Sequence, residues 1–209
     1  MDELASLSLR EFLERAASGE PVPGGGSVAA LAGALGAAMA AMAANFTVGK
    51  PKFAAHDGLM RRTLAELAPC LDSLREGVDA DARAFSELSL ARRPPGDGEA
   101  AAAARREAVR AALLAALRAP ARTLAACRRT AELLPDLAGA ANPNLLSDVE
   151  VAAIMIPAAA RAALVNVLAN SRRLDGAEAR QAEAGAGENL ARTEKLAAEA
   201  LAIVNRRRS

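Results

Sequence analysis

The chain has 209 residues, enough for one sizeable core and a single domain over 1–209. Apolar residues make up 52% of it, yet Trp and Tyr are absent and Phe occurs only 4 times, so the core has to be built from Ala, Leu and Val. Lys and Arg number 26 against 25 Asp and Glu, a formal charge of +1 that argues against a nucleic-acid partner.

The opening stretch, MDELASLSLREFLERAAS, is amphipathic and of mixed charge rather than a basic region feeding an apolar one. No secretion signal is expected, and a cytoplasmic location is. Ser8 and Glu11 have the spacing of a capping box, opening a short helix with Leu9, Phe12 and Leu13 on one face and a stop near Gly19. PVPGGGS follows, and from Ser27 to about Phe46 a helix is predicted whose large residues Val28, Leu31, Leu35, Met39 and Met42 form one stripe among Ala and Gly. No charge occurs from Ser27 to Thr47, and Ala29, Gly33 and Ala37 have the small-residue spacing of a membrane helix. Ala and Gly insert weakly, however, and neither a basic flank nor an aromatic belt is present, so no membrane partner is expected. A helix apolar all round also suits the centre of a bundle or the interface of a dimer.

A helical stretch from Asp57 to Ala91 is predicted to break or kink at Pro69, with a loop over Arg92 to Gly98. The pattern resumes at Glu99, with an interruption expected at Pro120 and an end before Leu134-Pro135; DLAGAANPN then reads as a loop. Ser147 and Glu150 form a second capping-box candidate for a helix to about Leu174. After Asp175-Gly176 an amphipathic helix follows, with Gly185 and Gly187 as weak points and Arg206 to Arg208 as solvated charges. No alternating pattern of strand length occurs, so the fold class is all-α.

Several polar residues interrupt apolar stripes. Asp81 lies on the seam Leu67, Leu71, Leu74, Val78, Phe85, Leu88, where a carboxylate is either functional or half of an ion pair with an arginine. Asp79 faces nearly the other side of the same helix. Asn45 stands near the end of the second helix, as a cap or as a site residue. Asp148 falls in a first helical turn, where the dipole stabilises a carboxylate. Asn166 and Asn170, one turn apart in LVNVLAN, either satisfy each other or present amides to a planar heterocycle. Gly24, Gly25 and Gly26 permit successive amides to turn toward one point and, with the Ser27 hydroxyl, suit an anionic or polar ligand group at a helix N-terminus. The composition GGGS equally fits a linker, but no P-loop or dinucleotide fingerprint is present. The lone His56 has no partners for a triad or zinc site and is expected exposed at a turn. Cys70 and Cys127 match no metal or disulfide framework and read as reduced core thiols.

Taken together, PVPGGGSVAALAGALGAAMAAMAANFTVGK, DADARAF (Asp79 to Phe85), NPNLLSDVEVAA (Asn142 to Ala153) and LVNVLAN resemble, in order, the signature segments of the cyclodeaminase/cyclohydrolase family. The resemblance implies an all-helical homodimer that acts on tetrahydrofolate one-carbon derivatives, with neither metal nor prosthetic group. It implies hydrolysis of 5,10-methenyltetrahydrofolate to 10-formyltetrahydrofolate. The alternatives are cyclodeamination of 5-formiminotetrahydrofolate with release of ammonia, or a folate-binding dimer that has lost catalysis. No formiminotransferase segment accompanies these motifs, which tilts the expectation toward the cyclohydrolase. On this basis Asp81 and Asp148 are candidates for proton transfer and cation stabilisation, and Lys50 for the acid. Gly24, Gly25, Gly26, Ser27, Asn45, Asp79, Asn142, Ser147, Asn166 and Asn170 are candidates for substrate binding. GKPKF (Gly49 to Phe53) departs from the family's GKKKY-like segment: Pro51 stiffens the turn and Phe53 lacks a hydroxyl.

Overall fold

A computed structural model describes residues 3–94, 98–174 and 176–209. Six α-helices account for most of it, and among the described residues there is no strand. They are α1 (Leu9–Ala16), α2 (Gly25–Asn45), α3 (Asp57–Ala91), α4 (Glu99–Ala140), α5 (Leu146–Ser171) and α6 (Ala177–Arg208). Part of the loop expected over Arg92 to Gly98, and Asp175 of the expected turn, lie outside the described residues.

The capping box at α1 forms as expected: the Ser8 hydroxyl accepts from the Glu11 N–H, and the Glu11 carboxylate accepts from the Ser8 N–H. Of its three large apolar residues only Phe12 is buried, while Leu9 and Leu13 face outward. Prolines do not end the long helices. α3 runs through Pro69, α5 through Pro157, and α4 through both Pro120 and Pro135 to Ala140. Each proline removes a helical hydrogen bond, about 3 kcal/mol in isolation. Here Leu117, Leu124, Leu134 and Leu137 are buried on the turns around Pro120 and Pro135, and that packing holds α4 continuous. The loop expected over Asp136 to Asn144 therefore shrinks to Ala141, Asn142 and a short 3-10 turn at Pro143–Leu145. Gly185 and Gly187 likewise lie within an unbroken α6.

The second capping box does not form. Ser147 sits inside α5, which begins at Leu146, and Glu150 pairs with Arg208 of α6. Asn142 caps the short 3-10 turn before it, its side-chain oxygen accepting from the Asn144 N–H at 3.1 Å, and α5 itself starts after Leu145 without a side-chain cap.

α2 lies at the centre, packed on α3 and α5 and touching α4; α4 in turn packs on α3, α5 and α6, and α6 covers α4 and α5. The chain's alanines make this possible. Gly26, Ser27, Ala29, Ala30, Gly33, Ala34, Gly36, Ala37, Ala40, Ala43 and Ala44 are the buried residues of α2. A methyl at Gly33 would meet Leu74 Cδ2 at 2.8 Å and Cys127 Sγ at 3.2 Å, so the helices approach closer than any larger residue permits. The large stripe of α2 points the other way: Val28 is 46% and Leu35 52% exposed, and Leu31, Met39 and Met42 are half-buried. α5 repeats this, with Val151, Ile154 and Val165 exposed. Both segments are long and apolar enough to cross a membrane, with mean hydropathies of 1.8 and 1.9.

Candidate functional site

α2 and α5 run antiparallel, because the start of α2 meets the end of α5 at Asn166 and its far end meets the turn before α5 at Asn142. Polar residues gather at both ends of this pair.

At the first end, Gly24 leaves an extended backbone and α2 starts at Gly25 with no side-chain cap. The amides of that first turn would be orphans. The Asp81 carboxylate of α3 takes their place as acceptor: Oδ2 receives the Ser27 N–H at 3.0 Å. The Ser27 hydroxyl is buried and donates to the Val78 carbonyl at 2.7 Å, fixing the first turn of α2 to the turn of α3 that carries Asp81. Gly26 is what lets the carboxylate in, since a methyl there would stand 2.1 Å from Asp81 Oδ1. Burial pushes the Asp81 carboxyl above its ordinary value; the hydrogen bonds from the Ser27 backbone and hydroxyl oppose that without cancelling it. No arginine pairs with it among the described residues, so the ion-pair alternative does not apply.

Across the same turn, the Asn166 amide lies 3.5 Å (Oδ1) and 3.6 Å (Nδ2) from where a Gly25 methyl would be. Its Nδ2 donates to the Ala162 carbonyl at 2.9 Å, which leaves Oδ1 toward the start of α2. Asn170 does not bond Asn166. Its Nδ2 donates to the Ala116 carbonyl of α4 at 2.8 Å, tying α5 to α4 one turn beyond. The first end therefore unites Gly24, Gly25, Gly26, Ser27, Asp81 and Asn166, with Asn170 behind them.

Asp79 is not brought to this group. It is buried on another face of α3, where Oδ1 accepts the Leu4 N–H at 2.5 Å and Oδ2 the Ala5 N–H at 3.4 Å. Its carboxylate anchors the N-terminal segment that leads into the glycine run.

The second end holds Asn45, Lys50, Asn142, Ser147 and Asp148. α2 is 21 residues long, which puts this end about 30 Å from the first. Asn45 closes α2, and Phe46 follows as the C-cap. Thr47, which the sequence reading did not single out, is fully buried: its hydroxyl donates to the Ala43 carbonyl at 2.8 Å and accepts the Asn142 N–H at 2.9 Å. A buried hydroxyl in the otherwise apolar run before Lys50 was its only sequence signal. Arg207 is not the solvated charge that the sequence suggests: its guanidinium donates to the carbonyls of Ala138 (2.5 Å) and Ala141 (2.8 Å), the orphan acceptors at the end of α4. The turn at Asn142 is thus held from both sides. Beyond it, Asp148 is half-buried in the first turn of α5 and accepts from the Ser147 hydroxyl at 3.5 Å. Lys50 is exposed past Gly49, whose φ of +70 is the left-handed geometry that favours glycine.

Among the described residues no three His, Cys, Asp or Glu side chains converge as metal ligands. His56 is exposed as expected, and Cys70 and Cys127 are buried free thiols. Burial pushes the Cys127 thiol up to about 12.

Known proteins are similar to this chain in sequence and in fold. Residues 8–188 match the family model described as formiminotransferase-cyclodeaminase. The chain is 33% identical over 199 residues to a methenyltetrahydrofolate cyclohydrolase of Methylorubrum extorquens, an alignment covering 95% of this chain and 93% of that one. It is 36% identical over 171 residues to the formimidoyltransferase-cyclodeaminase of Mus musculus, covering 80% of this chain but 31% of that protein. The crystal structure of a formiminotetrahydrofolate cyclodeaminase from Thermotoga maritima superposes with a TM-score of 0.86 at 27% identity, over 97% of this chain and 98% of that one. The chain belongs to the formiminotransferase-cyclodeaminase family.

Proposed function

We propose that the protein hydrolyses 5,10-methenyltetrahydrofolate to 10-formyltetrahydrofolate, with the Asp81 end of α2 as the reaction centre. The observation that carries this reading is the Asp81 carboxylate itself: half-buried, without a countercharge among the described residues, and held by the Ser27 N–H at a helix start. The substrate's reacting group is a cationic amidinium, the countercharge such a carboxylate lacks. Water adds to the methenyl carbon between N5 and N10 and gives up a proton to Asp81. Burial, by making the carboxylate more basic, favours that transfer. The neutral adduct then collapses: Asp81 returns its proton to N5 as the C–N5 bond breaks, the adduct's hydroxyl gives up its own proton to the freed carboxylate and from there to solvent, and the resulting formyl group remains on N10. The Asn166 oxygen and the free amides of the first turn of α2 suit the donors and acceptors of a pterin.

The similarity to the stand-alone cyclohydrolase, over nearly its whole length, supports this direction. The likeness to the cyclodeaminases supports the second reading, ring closure of 5-formiminotetrahydrofolate with loss of ammonia. Both reactions need a base, an acid and an enclosed site. Turnover of each substrate by the purified protein separates them: the first reading expects faster loss of the methenyl chromophore and no ammonia from the formimino substrate, and ammonia release without methenyl turnover would replace it with the second.

The same reading takes the protein as a cytoplasmic homodimer. Its support is the inverted packing of α2 and α5, whose small residues are buried and whose large ones, Val28, Leu35, Val151, Ile154 and Val165, are exposed. An apolar face of this extent on a soluble protein calls for a partner.

A further inference from the structure

In a folate the reacting carbon lies between two parts that a protein can recognise: N5 belongs to the pterin, and N10 to an aminobenzoyl ring that carries a glutamate. The chain offers something different on each side of Asp81. On α2, Gly25 meets Asn166, whereas Ala34 stands nine residues on, half a turn round the helix from it. On that second side opens a cavity of about 190 Å³, walled by Leu7, Leu9 and Phe12 of the N-terminal segment, Leu31 and Ala34 of α2 and Val78 of α3. An apolar cavity of about 150 Å³ takes a benzene ring, so this one has room for a benzoyl group. Arg75 is the one charged side chain in its lining among the described residues. Asp81, Val78 and Arg75 follow one another at steps of three residues along α3, so carboxylate, apolar wall and guanidinium form one row, with about 9 Å of rise from first to last. Two features of the row have no use within the chain. Leu9 is 68% exposed at the mouth of the cavity, and the neighbour of Arg75, Asp72, stands 3.6 Å off with both groups largely in solvent, a pairing worth little.

We propose that this cavity takes the aminobenzoyl ring of the substrate and that Arg75 receives a carboxylate of its glutamate, which makes Arg75 a specificity-determining residue for folates that carry the glutamate. With the methenyl carbon at Asp81 and the pterin toward Gly25 and Asn166, N10 faces the cavity. From N10 the ring, its amide and the glutamate α-carbon carry the first carboxylate roughly 9 Å away, which matches the rise from Asp81 to Arg75. The ring covers Leu9 and lies against Leu31 and Val78, and the apolar area so removed from water favours binding. The carboxylate takes the planar fork of Arg75 in place of Asp72. Neither contact involves an atom whose charge changes in the reaction, so both act on KM and not on kcat.

This inference rests on the cyclohydrolase reading, and the experiment keeps the two apart. Wild type, Arg75→Gln and Leu9→Gln, both replacements at exposed positions, are assayed with 5,10-methenyltetrahydrofolate and with 5,10-methenyltetrahydropteroate, which keeps the ring but has no glutamate. Arg75→Gln is expected to raise KM for the folate about fivefold at unchanged kcat and to leave KM for the pteroate where it is, while Leu9→Gln raises both. An active wild type whose Arg75→Gln variant keeps the wild-type KM, or shifts KM for both substrates equally, would overturn the subsite while leaving the function standing. An inactive wild type would remove the function, and binding then decides the subsite without turnover. Titrated into the methyl-labelled protein, 4-aminobenzoyl-glutamate is expected to shift the methyl resonances of Leu9, Leu31 and Val78 but not of the buried Val149, and to bind Arg75→Gln about fivefold more weakly. No shift at millimolar ligand, shifts confined to other residues, or equal affinity for wild type and Arg75→Gln would each overturn the proposal.

Discussion

A methyl group at Gly26 would stand 2.1 Å from Asp81 Oδ1, 2.3 Å from its Cγ and 2.7 Å from Oδ2. Carbon and oxygen in ordinary contact are more than 3 Å apart, so in Gly26→Ala the carboxylate must withdraw by about 1 Å. The backbone on one side is the first turn of α2, pinned by the Ser27 hydroxyl to Val78, so the side chain of Asp81 is what moves. Withdrawal breaks its bond with the Ser27 N–H, a charge-assisted contact worth about 1.5–3 kcal/mol. Replacing glycine in a helix returns about 1 kcal/mol, leaving a net loss of roughly 0.5–2 kcal/mol and a melting temperature lower by a few degrees. Activity is far more sensitive: a 1 Å misplacement of a reacting group costs about 100-fold. The assay is kcat/KM for methenyltetrahydrofolate alongside a thermal melt. Gly139→Ala is the control, since nothing lies within 4 Å of the added methyl; it should keep full activity and melt at the same temperature or higher. Wild-type kcat/KM in Gly26→Ala would refute the reasoning.

Asp81→Asn should be inactive yet melt no lower than wild type at neutral pH. Because the folded carboxyl titrates above its ordinary value, its contribution to stability is present in acid and lost as pH rises through the folded value. The advantage of the asparagine should therefore vanish at low pH; an unchanged difference across the range would show that Asp81 is not desolvated. Asp79→Ala leaves the Leu4 and Ala5 amides without their acceptor and should cost about 1–3 kcal/mol in denaturant melts, with turnover reduced only in proportion to the folded fraction. Thr47→Val unties Asn142 from α2 and should cost about 1–2 kcal/mol. Cys127 should resist alkylation in the native protein and react promptly once unfolded; rapid native labelling would contradict its burial and raised thiol.

The helical class and most helix starts were legible because they rest on local signals: the Ser8–Glu11 box, the GGGS entry to α2 and the turn residues between helices. The prolines misled because their cost is local and what offsets it, the burial of Leu117, Leu124, Leu134 and Leu137, is not. Ser147 and Glu150 had capping-box spacing, but the Asn142-Pro143 turn had already begun the helix, and Glu150 was taken by Arg208. The stripe of α2 was visible as a stripe, though not which way it faced. Periodicity marks a face without saying whether its own chain covers it. In the site, Asp81 stood out as a carboxylate in an apolar seam, and Gly26 as part of a glycine turn whose amides suit a polar group. Their contact across more than fifty residues was beyond pattern reading. So was the division of the site residues between two ends of one helix pair, because α2's length became a distance only once Asn142 and Asn166 were placed.

The central claim, that Asp81 drives methenyl hydrolysis, is tested most directly by following the methenyl chromophore of 5,10-methenyltetrahydrofolate with wild type and with folded Asp81→Asn, each against the uncatalysed rate at matched pH and buffer. The account predicts enzyme-dependent loss of absorbance for wild type and the uncatalysed rate for the variant. Equal acceleration by both proteins would contradict it.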